Sequence, residues 1–230
     1  MSYLVLFCAY REWGIKSYHD LVEVLNQSEQ KFNLQLVTSQ ENLISLLSHG
    51  VKPDLVLCAG WSWIIPAEAL SICKFYGIHP SDLPLYAGGS PIQHQIIDGI
   101  ETSKVTLFEM KEKLDQGPII QKLPLSLAGP LSEILSNLSL NTTLLFSRLL
   151  AEFPNINYSA KDTISPTSVI RKRLNASSGE ITKKLISELT AKQLFDFIRC
   201  RENPYPNAFI QDETGTLFFS HVVFDQHGKK

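Results

Sequence analysis

The sequence is poor in cysteine, and its cysteines are not spaced for a metal site. Four occur among the 230 residues, Cys8, Cys58, Cys73 and Cys200, and they are far apart in the chain. Structural zinc sites use ligand pairs a few residues apart, so we expect no metal. Each cysteine lies in an apolar segment. We therefore predict buried thiols in a reducing compartment, which favours the cytoplasm.

The sequence also lacks an excess of positive charge and any long apolar run. Lysine and arginine number 21 against 23 aspartates and glutamates, a net charge of −2. Proteins that bind nucleic acid through its phosphates are usually basic, so we expect no nucleic-acid partner. No run approaches the ~20 apolar residues of a membrane helix. The apolar start has no basic region and ends at Arg11 and Glu12, which predicts a buried strand and not a signal peptide.

No Gly-x-Gly-x-x-Gly sequence follows that first strand, which disfavours a dinucleotide-binding protein. The chain is 44% hydrophobic, enough for one compact domain with a small extension. Residues 3–9 and 53–59 are short apolar runs typical of buried strands, and leucines between them recur at helical spacing. This alternation predicts an α/β fold, a Rossmann-like and mostly parallel sheet with helices on both faces.

The second half of the chain predicts the rest of the fold. We divide the chain into a Rossmann-like core, residues 1–155, and a connector with a C-terminal extension, residues 156–230. The extension is expected to contain a helix at 191–199 and a β-hairpin turning at Thr214–Gly215. Further predicted elements are a strand pair at 105–110 and 119–124 and a long helix at 130–153, with Pro130 in its first turn.

One histidine and one aspartate are the strongest candidates for chemistry. His79 ends a short apolar run and precedes Pro80, while Asp115 precedes a Gly-Pro turn. Functional side chains in open α/β sheets collect at the carboxyl ends of strands. A histidine beside a carboxylate can move a proton near neutral pH. Either residue could instead be structural, because aspartate near glycine is common in turns. We predict that His79 and Asp115 share one cleft.

The order of several motifs is similar to that of the folate-dependent formyltransferases. The resemblance runs from about Leu4 to near the end of the sequence. Its motifs are His79-Pro-Ser-x-Leu83-Pro84, Gly88-Gly89-Ser90-Pro91, Val105-Thr106, Leu114-Asp115-x-Gly117-x-Ile119, Phe197-Ile198-Arg199 and Asn203-Pro-Tyr-Pro-Asn-Ala-Phe209.

The resemblance implies transfer of a formyl group from N10-formyltetrahydrofolate to a primary amine, without a metal. His79 would be protonated beside the oxyanion that forms, and Asp115 would fix its imidazole ring. An apolar cluster after the strand at 53–59 corresponds to the pterin-contacting stretch of the family, although core is the alternative interpretation. The cofactor-binding residues expected from this correspondence are Trp63, Ile64, Ile65, Met110, Lys111, Lys113 and Leu114.

Residues of the acceptor side are expected in three loops. Gly88 and Gly89 could serve only a tight turn, or could leave backbone N–H groups free to meet an anion or a sugar. The full set of expected substrate-binding residues is Tyr10, Arg11, Gly88, Gly89, Ser90, Pro91, His94, Arg199 and Tyr205, of which Arg199 and Tyr205 rest on the resemblance.

The sequence departs from the family at one catalytic position. Two residues before the histidine the family has an asparagine that donates to the formyl oxygen, and this chain has Gly77. Loss of one such donor typically costs about 100- to 1000-fold in rate. Another group could replace the amide, or the protein could be slow, or it could be an inactive homologue that only binds folate or nucleotide sugar.

The acceptor class expected from the resemblance is a nucleotide-linked amino sugar. Methionyl-tRNA formyltransferases carry a larger, basic C-terminal domain, for which this sequence shows neither length nor charge. The nucleotide-sugar N-formyltransferases fit best. We expect a dTDP-linked amino-dideoxyhexose, with a 4-amino group favoured over a 3-amino group, of the kind used for O-antigen in lipopolysaccharide. A homodimer is expected.

Overall fold

A computed structural model of the chain describes residues 2–29, 31–158 and 169–225. Strands and helices alternate in the first half, as the sequence predicts, and helices and a hairpin follow. In chain order the elements are β1 (Tyr3–Cys8), α1 (Glu12–Asn26), β2 (Phe32–Val37), α2 (Gln40–Ser48), β3 (Leu55–Cys58), α3 (Ala67–Leu70), β4 (Lys74–His79), α4 (Pro91–Ile97), β5 (Thr102–Glu109), β6 (Ile119–Ser126), α5 (Leu131–Ala151), α6 (Lys183–Glu188), α7 (Ala191–Arg199), β7 (Ala208–Asp212) and β8 (Gly215–Phe219).

The main sheet confirms the predicted Rossmann-like, mostly parallel architecture. Within the described residues it has six strands in the order β2-β1-β3-β4-β5-β6. Strands β2, β1, β3 and β4 pair in parallel, and β5 pairs antiparallel with both β4 and β6. The sheet therefore changes from parallel to antiparallel pairing at β4, the strand that ends with His79. Strand β2 was not predicted, because its edge position leaves alternate residues exposed and weakens the apolar signal.

Helices cover both faces of the sheet, as predicted. Along β1, Val5 and Phe7 belong to one core cluster, and Leu6 and Cys8 to a second on the opposite face. Side chains alternate between the faces of a strand, so a strand covered on both sides is a continuous apolar run. Helices α1, α4 and α5 pack on the first cluster, and α2 and α3 on the second. Among the described helices, none is long and apolar enough to cross a membrane.

The C-terminal part confirms the predicted helix and hairpin with small shifts. The hairpin turns between Asp212 and Gly215, one residue earlier than expected. Pro130 has an extended backbone and precedes the first turn of α5 instead of lying in it. Helix α6 was not predicted. Part of the connector, residues 159–168, lies outside the described residues, and the division into core and extension stays a prediction.

The structure contradicts the expectation that Arg199 lies on the acceptor side of the site. Its side chain is 4% exposed, and its Nε lies 2.6 Å from Asp196 Oδ1. The guanidinium also donates to the carbonyl oxygens of Leu127 and Gly129, each at 2.9 Å. These bonds use Arg199 to fasten α7 to the segment between β6 and α5. It is a structural residue of the extension.

Replacing Arg199 with methionine should therefore destabilise the protein. The change leaves the buried Asp196 with Lys192 as its remaining ion-pair partner and leaves two carbonyl groups without the Arg199 donor, which should lower the free energy of unfolding by about 3 kcal/mol. Lys184→Met, which breaks a largely exposed pair with Glu188, should change stability little. Denaturant unfolding of both variants measures the difference. Equal stability of the two variants would show that Arg199 does not fasten the extension.

Candidate active site

His79 closes β4, is only 6% exposed, and has oxygen atoms at both ring nitrogens. Its Nε2 lies 2.8 Å from the carbonyl oxygen of Tyr86, and its Nδ1 lies 3.5 Å from Asp115 Oδ2. A carbonyl oxygen can only accept a hydrogen bond, so Nε2 carries a hydrogen. The prediction that His79 and Asp115 share one cleft is confirmed. A neutral ring has one N–H for these two acceptors, whereas a doubly protonated ring would satisfy both.

The carboxylate of Asp115 connects two loops at His79. Its Oδ2 accepts a 2.7 Å hydrogen bond from the backbone N–H of Gly88. The residue has a φ of 53°, a left-handed conformation that aspartate adopts more readily than most residues with a side chain. The loop between β5 and β6 is thereby bonded to the loop after β4. The carboxylate that faces His79 is held in place by this bond.

The expectation that Gly88 and Gly89 leave N–H groups free for a ligand is wrong. The Gly88 N–H is bound to Asp115, and the Gly89 N–H donates to the Arg171 carbonyl oxygen at 2.8 Å. A Cβ on Gly88 would lie 2.4 Å from that same oxygen, and one on Gly89 would lie 2.5 Å from the Arg173 Cα. The glycines allow the connector to pack closely against the core.

A cavity of about 330 Å³ lies on one side of His79 and is lined mostly by apolar side chains. Of the residues expected to bind the cofactor, Trp63, Ile64, Met110 and Leu114 line it. Three others do not. Ile65 is buried in the core beneath, Lys111 pairs with Glu109, and Lys113 is exposed. The cavity therefore retains four of the five apolar residues of the predicted set and loses Ile65 and both lysines.

Gly77 also lines this cavity, and neighbouring side chains fill the space beside it. Its φ lies outside the left-handed region, so the backbone accepts other residues. A Cβ at this position would lie 3.0 Å from Phe108 Cε1 and 3.1 Å from Met110 Cγ. A larger side chain at position 77 therefore requires Phe108 and Met110 to move.

A second cavity of about 420 Å³ also has His79 in its wall. Arg11, Ser90, Pro91 and Tyr205, all expected on the acceptor side, line it. Burial raises the pKa of the Tyr205 hydroxyl, so it stays protonated at neutral pH. His79 and Gly88 line both cavities. His79 is therefore accessible from both cavities.

Besides Arg199, two expected acceptor residues line neither cavity. The Tyr10 ring packs 4.7 Å from the Trp63 ring, and its hydroxyl is hydrogen-bonded to Ser62. His94 Nε2 donates to the Lys172 carbonyl oxygen at 2.8 Å. Tyr10 supports the wall of the first cavity, and His94 holds the connector against α4.

The residues that the sequence did not reveal come mainly from the connector. Arg171 and Arg173 line the first cavity, and Arg173 lines the second as well. Trp61 belongs instead to the apolar cluster that the sequence did indicate; it lines both cavities, and its indole N–H is buried with no acceptor in the part of the chain that the structure describes. The basic run from Arg171 to Arg173 in a polar connector was the one available signal.

Cys58 also lines the first cavity, but its thiol is not suited to nucleophilic attack. A hydrogen bond with Cys8 and burial raise the pKa of Cys58 well above its usual range. The reactive form of cysteine is the thiolate, so this thiol is inert at neutral pH. Across residues 2–29, 31–158 and 169–225, no group of three or more histidine, cysteine, aspartate or glutamate side chains could hold a metal ion.

Known proteins resemble the chain in both sequence and structure. A family model described as formyl transferase matches residues 16–128. Methionyl-tRNA formyltransferase of Campylobacter lari is 27% identical over 209 residues, which cover 86% of this chain and 63% of that protein. The chain thus spans less than two thirds of that relative.

Two solved structures extend the resemblance over nearly the whole chain. Methionyl-tRNA formyltransferase from Clostridium thermocellum superposes with a TM-score of 0.81 and 26% identity, covering 99% of this chain and 95% of that one. A sugar N-formyltransferase from a Shewanella species gives a TM-score of 0.71 at 17% identity, covering 96% and 99%. At that identity the second likeness concerns the fold alone.

The contact between Gly89 and the connector can be tested with one methyl group. Gly89→Ala should displace Arg173, because the new Cβ overlaps its backbone. The amide hydrogens of Arg171 and Leu174, which are bonded to Ala87 and Ser90, should then exchange about tenfold faster or more. Hydrogen exchange with mass spectrometry measures this.

The control for that change is Gly99→Ala. Gly99 has a φ of 77° and nothing within 4 Å of its Cβ position, so its substitution strains the backbone locally without displacing a segment. Exchange in the connector should not change. If Gly89→Ala leaves connector exchange at the level of Gly99→Ala, the close packing at Gly89 does not hold the connector.

Proposed function

Because the chain belongs to the folate-dependent formyltransferase family, we propose that it is an N-formyltransferase acting on a nucleotide-linked amino sugar. The formyl donor is N10-formyltetrahydrofolate. The observation that carries this proposal is the position of His79, which has Asp115 beside it and lines both cavities. A donor in one cavity and an acceptor amine in the other would meet at its imidazole ring.

The first cavity suits the flat, partly polar ring system of a reduced folate. Trp63, Met110 and Phe108 supply apolar walls, and aromatic and aliphatic walls are typical of heterocycle sites. The buried indole N–H of Trp61 lacks an acceptor in the described residues, and an unpartnered buried donor is costly. A polar atom of a bound ligand would relieve that cost if the indole turned towards the cavity.

The bound folate supplies an activated formyl group, and the residues of this chain supply position and charge. The amine forms a bond to the formyl carbon, the bond from that carbon to the donor nitrogen breaks, and one proton leaves the amine. In its doubly protonated form His79 would exchange the bond from Nε2 to the Tyr86 carbonyl oxygen for one to the formyl oxygen, as negative charge develops there. Asp115 would hold the ring and balance its charge. The proton released by the amine would pass to the departing donor nitrogen.

The second cavity supports a sugar acceptor. Hydroxyl and amide side chains of Ser90, Gln93 and Tyr205 line it, and such groups bind sugar hydroxyls well. A dTDP-linked amino-dideoxyhexose with a 4-amino group is the acceptor we favour over its 3-amino isomer. A role in O-antigen synthesis, a homodimer and a cytoplasmic location are parts of the same proposal.

Two alternatives are favoured by particular observations. Methionyl-tRNA is a second candidate acceptor because the relatives in Campylobacter and Clostridium are named for it. Binding of folate and nucleotide sugar without efficient catalysis is the other, because Gly77 removes an expected donor.

A single-turnover assay separates these functions. The protein would be mixed with formyl donor and, in turn, with dTDP-4-amino sugar, dTDP-3-amino sugar and methionyl-tRNA. We expect formylation of the 4-amino sugar to be fastest. Faster formylation of methionyl-tRNA would replace the sugar proposal, and folate binding without any transfer would establish the impaired homologue.

Substitutions at the paired residues test the mechanism. His79→Asn and Asp115→Asn should each lower turnover about 100-fold or more, because the developing charge and the ring orientation are lost. Folate affinity should change little, since apolar walls hold the ring. His221→Asn, an exposed histidine paired with Glu202, is the control and should retain full activity. Unchanged turnover in His79→Asn would remove this residue from the mechanism.

Three variants test whether glycine at position 77 leaves the site without a hydrogen-bond donor to the formyl oxygen. Gly77→Asn restores the amide but crowds Phe108, so it should gain activity only when combined with Phe108→Leu. One additional donor to the oxyanion should raise turnover about 100-fold. Phe108→Leu alone is the control, and unfolding curves should accompany all three variants. If the double variant folds normally and is no faster, the chain already supplies that donor by another group.

A further inference from the structure

Arg11 lines the second cavity and is held there by aromatic rings. Its guanidinium carbon lies 4.8 Å from the centre of the Tyr10 ring and 5.4 Å from that of Tyr205. Within the described residues the Arg11 side chain makes no ion pair or hydrogen bond, and its backbone carbonyl oxygen accepts only from Ile15. Stacking on aromatic faces positions a guanidinium without occupying its N–H groups. Arg11 therefore presents unused hydrogen-bond donors to the cavity.

Arg173 reaches the same cavity from a connector that is bonded to the core on both sides of it. Before it, the Arg171 guanidinium lies 2.7 Å from Asp98. After it, the Leu174 N–H donates to Ser90 Oγ at 3.0 Å. The Arg173 side chain itself has no ion pair or hydrogen bond in the described part of the chain. Its backbone is fixed and its guanidinium is available.

The nearby carboxylates do not neutralise these two arginines. No described aspartate or glutamate lines the second cavity. Asp115 lines the first cavity, Asp98 is paired with Arg171, and Glu12 lines a separate groove. Burial raises the pKa of Tyr205, while the charges of Arg11 and Arg173 both act to lower it. Both guanidinium groups are therefore within electrostatic reach of one buried hydroxyl.

We propose that Arg11 and Arg173 form an anion subsite that binds the phosphate groups of the acceptor. The proposal rests on the function proposed above. It names the residues that would bind the phosphate end of the acceptor, away from the amine that receives the formyl group. Two guanidinium groups suit a diphosphate, because each can form paired N–H···O bonds with phosphate oxygens. We favour a nucleoside diphosphate as the molecule that supplies these phosphate groups. The arginines line a cavity of about 420 Å³, and the sequence has no net positive charge.

Binding of dTDP tests the subsite without any need for turnover. Trp13 and Trp61 line the cavity, so their fluorescence can follow a titration. Arg11→Ala and Arg173→Ala should each weaken dTDP binding about 10- to 100-fold, as expected when a charged hydrogen-bonding partner is lost. Arg11→Lys and Arg173→Lys should lose less, since the charge remains. Lys172→Ala, which removes an adjacent positive charge that lines neither cavity, should bind dTDP normally.

Other outcomes would overturn the subsite or separate it from the proposed function. Undiminished dTDP binding in folded Arg11→Ala and Arg173→Ala variants would refute it, and so would thymidine binding as tightly as dTDP. Binding of a short RNA hairpin but not of dTDP would show that the phosphate groups come from a nucleic acid and not from a nucleoside diphosphate, which would refute the proposal. If arginine-dependent dTDP binding occurs without formyl transfer, the subsite stands and the proposed function fails. If an unphosphorylated amino sugar is formylated as efficiently as its dTDP form, the function stands and the subsite fails.

Discussion

One carboxylate oxygen organises the site, because Asp115 Oδ2 is shared between His79 Nδ1 and the backbone N–H of Gly88. His79 ends a parallel-paired strand, Gly88 belongs to the loop that follows it, and Asp115 lies in the loop between two antiparallel strands. A single group thus joins three segments that the sheet brings to one edge. Its burial makes the arrangement sensitive to change, because an unpaired charge there would be costly.

The connector is a fourth segment held at this edge of the sheet, and it is bonded to the same loop as Asp115. Gly88 is bonded to Asp115 through its nitrogen, and its lack of a side chain lets the Arg171 backbone approach within contact distance. The His94 side chain and the Ser90 hydroxyl fasten the following residues. A segment with little regular structure is thereby held firmly enough to supply side chains to both cavities. Loops carry function in this way when a rigid scaffold fixes their backbone.

The sequence predicted the features that depend on local pattern. Buried strands β1 and β3 are continuous apolar runs, and the His79 and Asp115 motifs lie where strands end. Apart from the His79–Asp115 pair, contacts made over long sequence separations were not predicted. The N–H groups of Gly88 and Gly89 are occupied by residues 27 and 82 positions away, so the same glycines that suggest a free anion site are bonded within the chain. Arg199 is likewise bonded within the chain, because the buried Asp196 neutralises its charge.

Gly77 shows why one position should be interpreted together with its neighbours in space. Gly77 and Phe108 are paired across β4 and β5, and directly opposed residues in adjacent strands place their side chains on the same face. The aromatic ring occupies volume that a side chain at position 77 would need. In our proposal glycine stands at position 77 where the family has asparagine, so it both removes an amide and permits an apolar wall where the amide would be. Restoring the amide alone would not reverse the second effect, because the ring would still occupy the space.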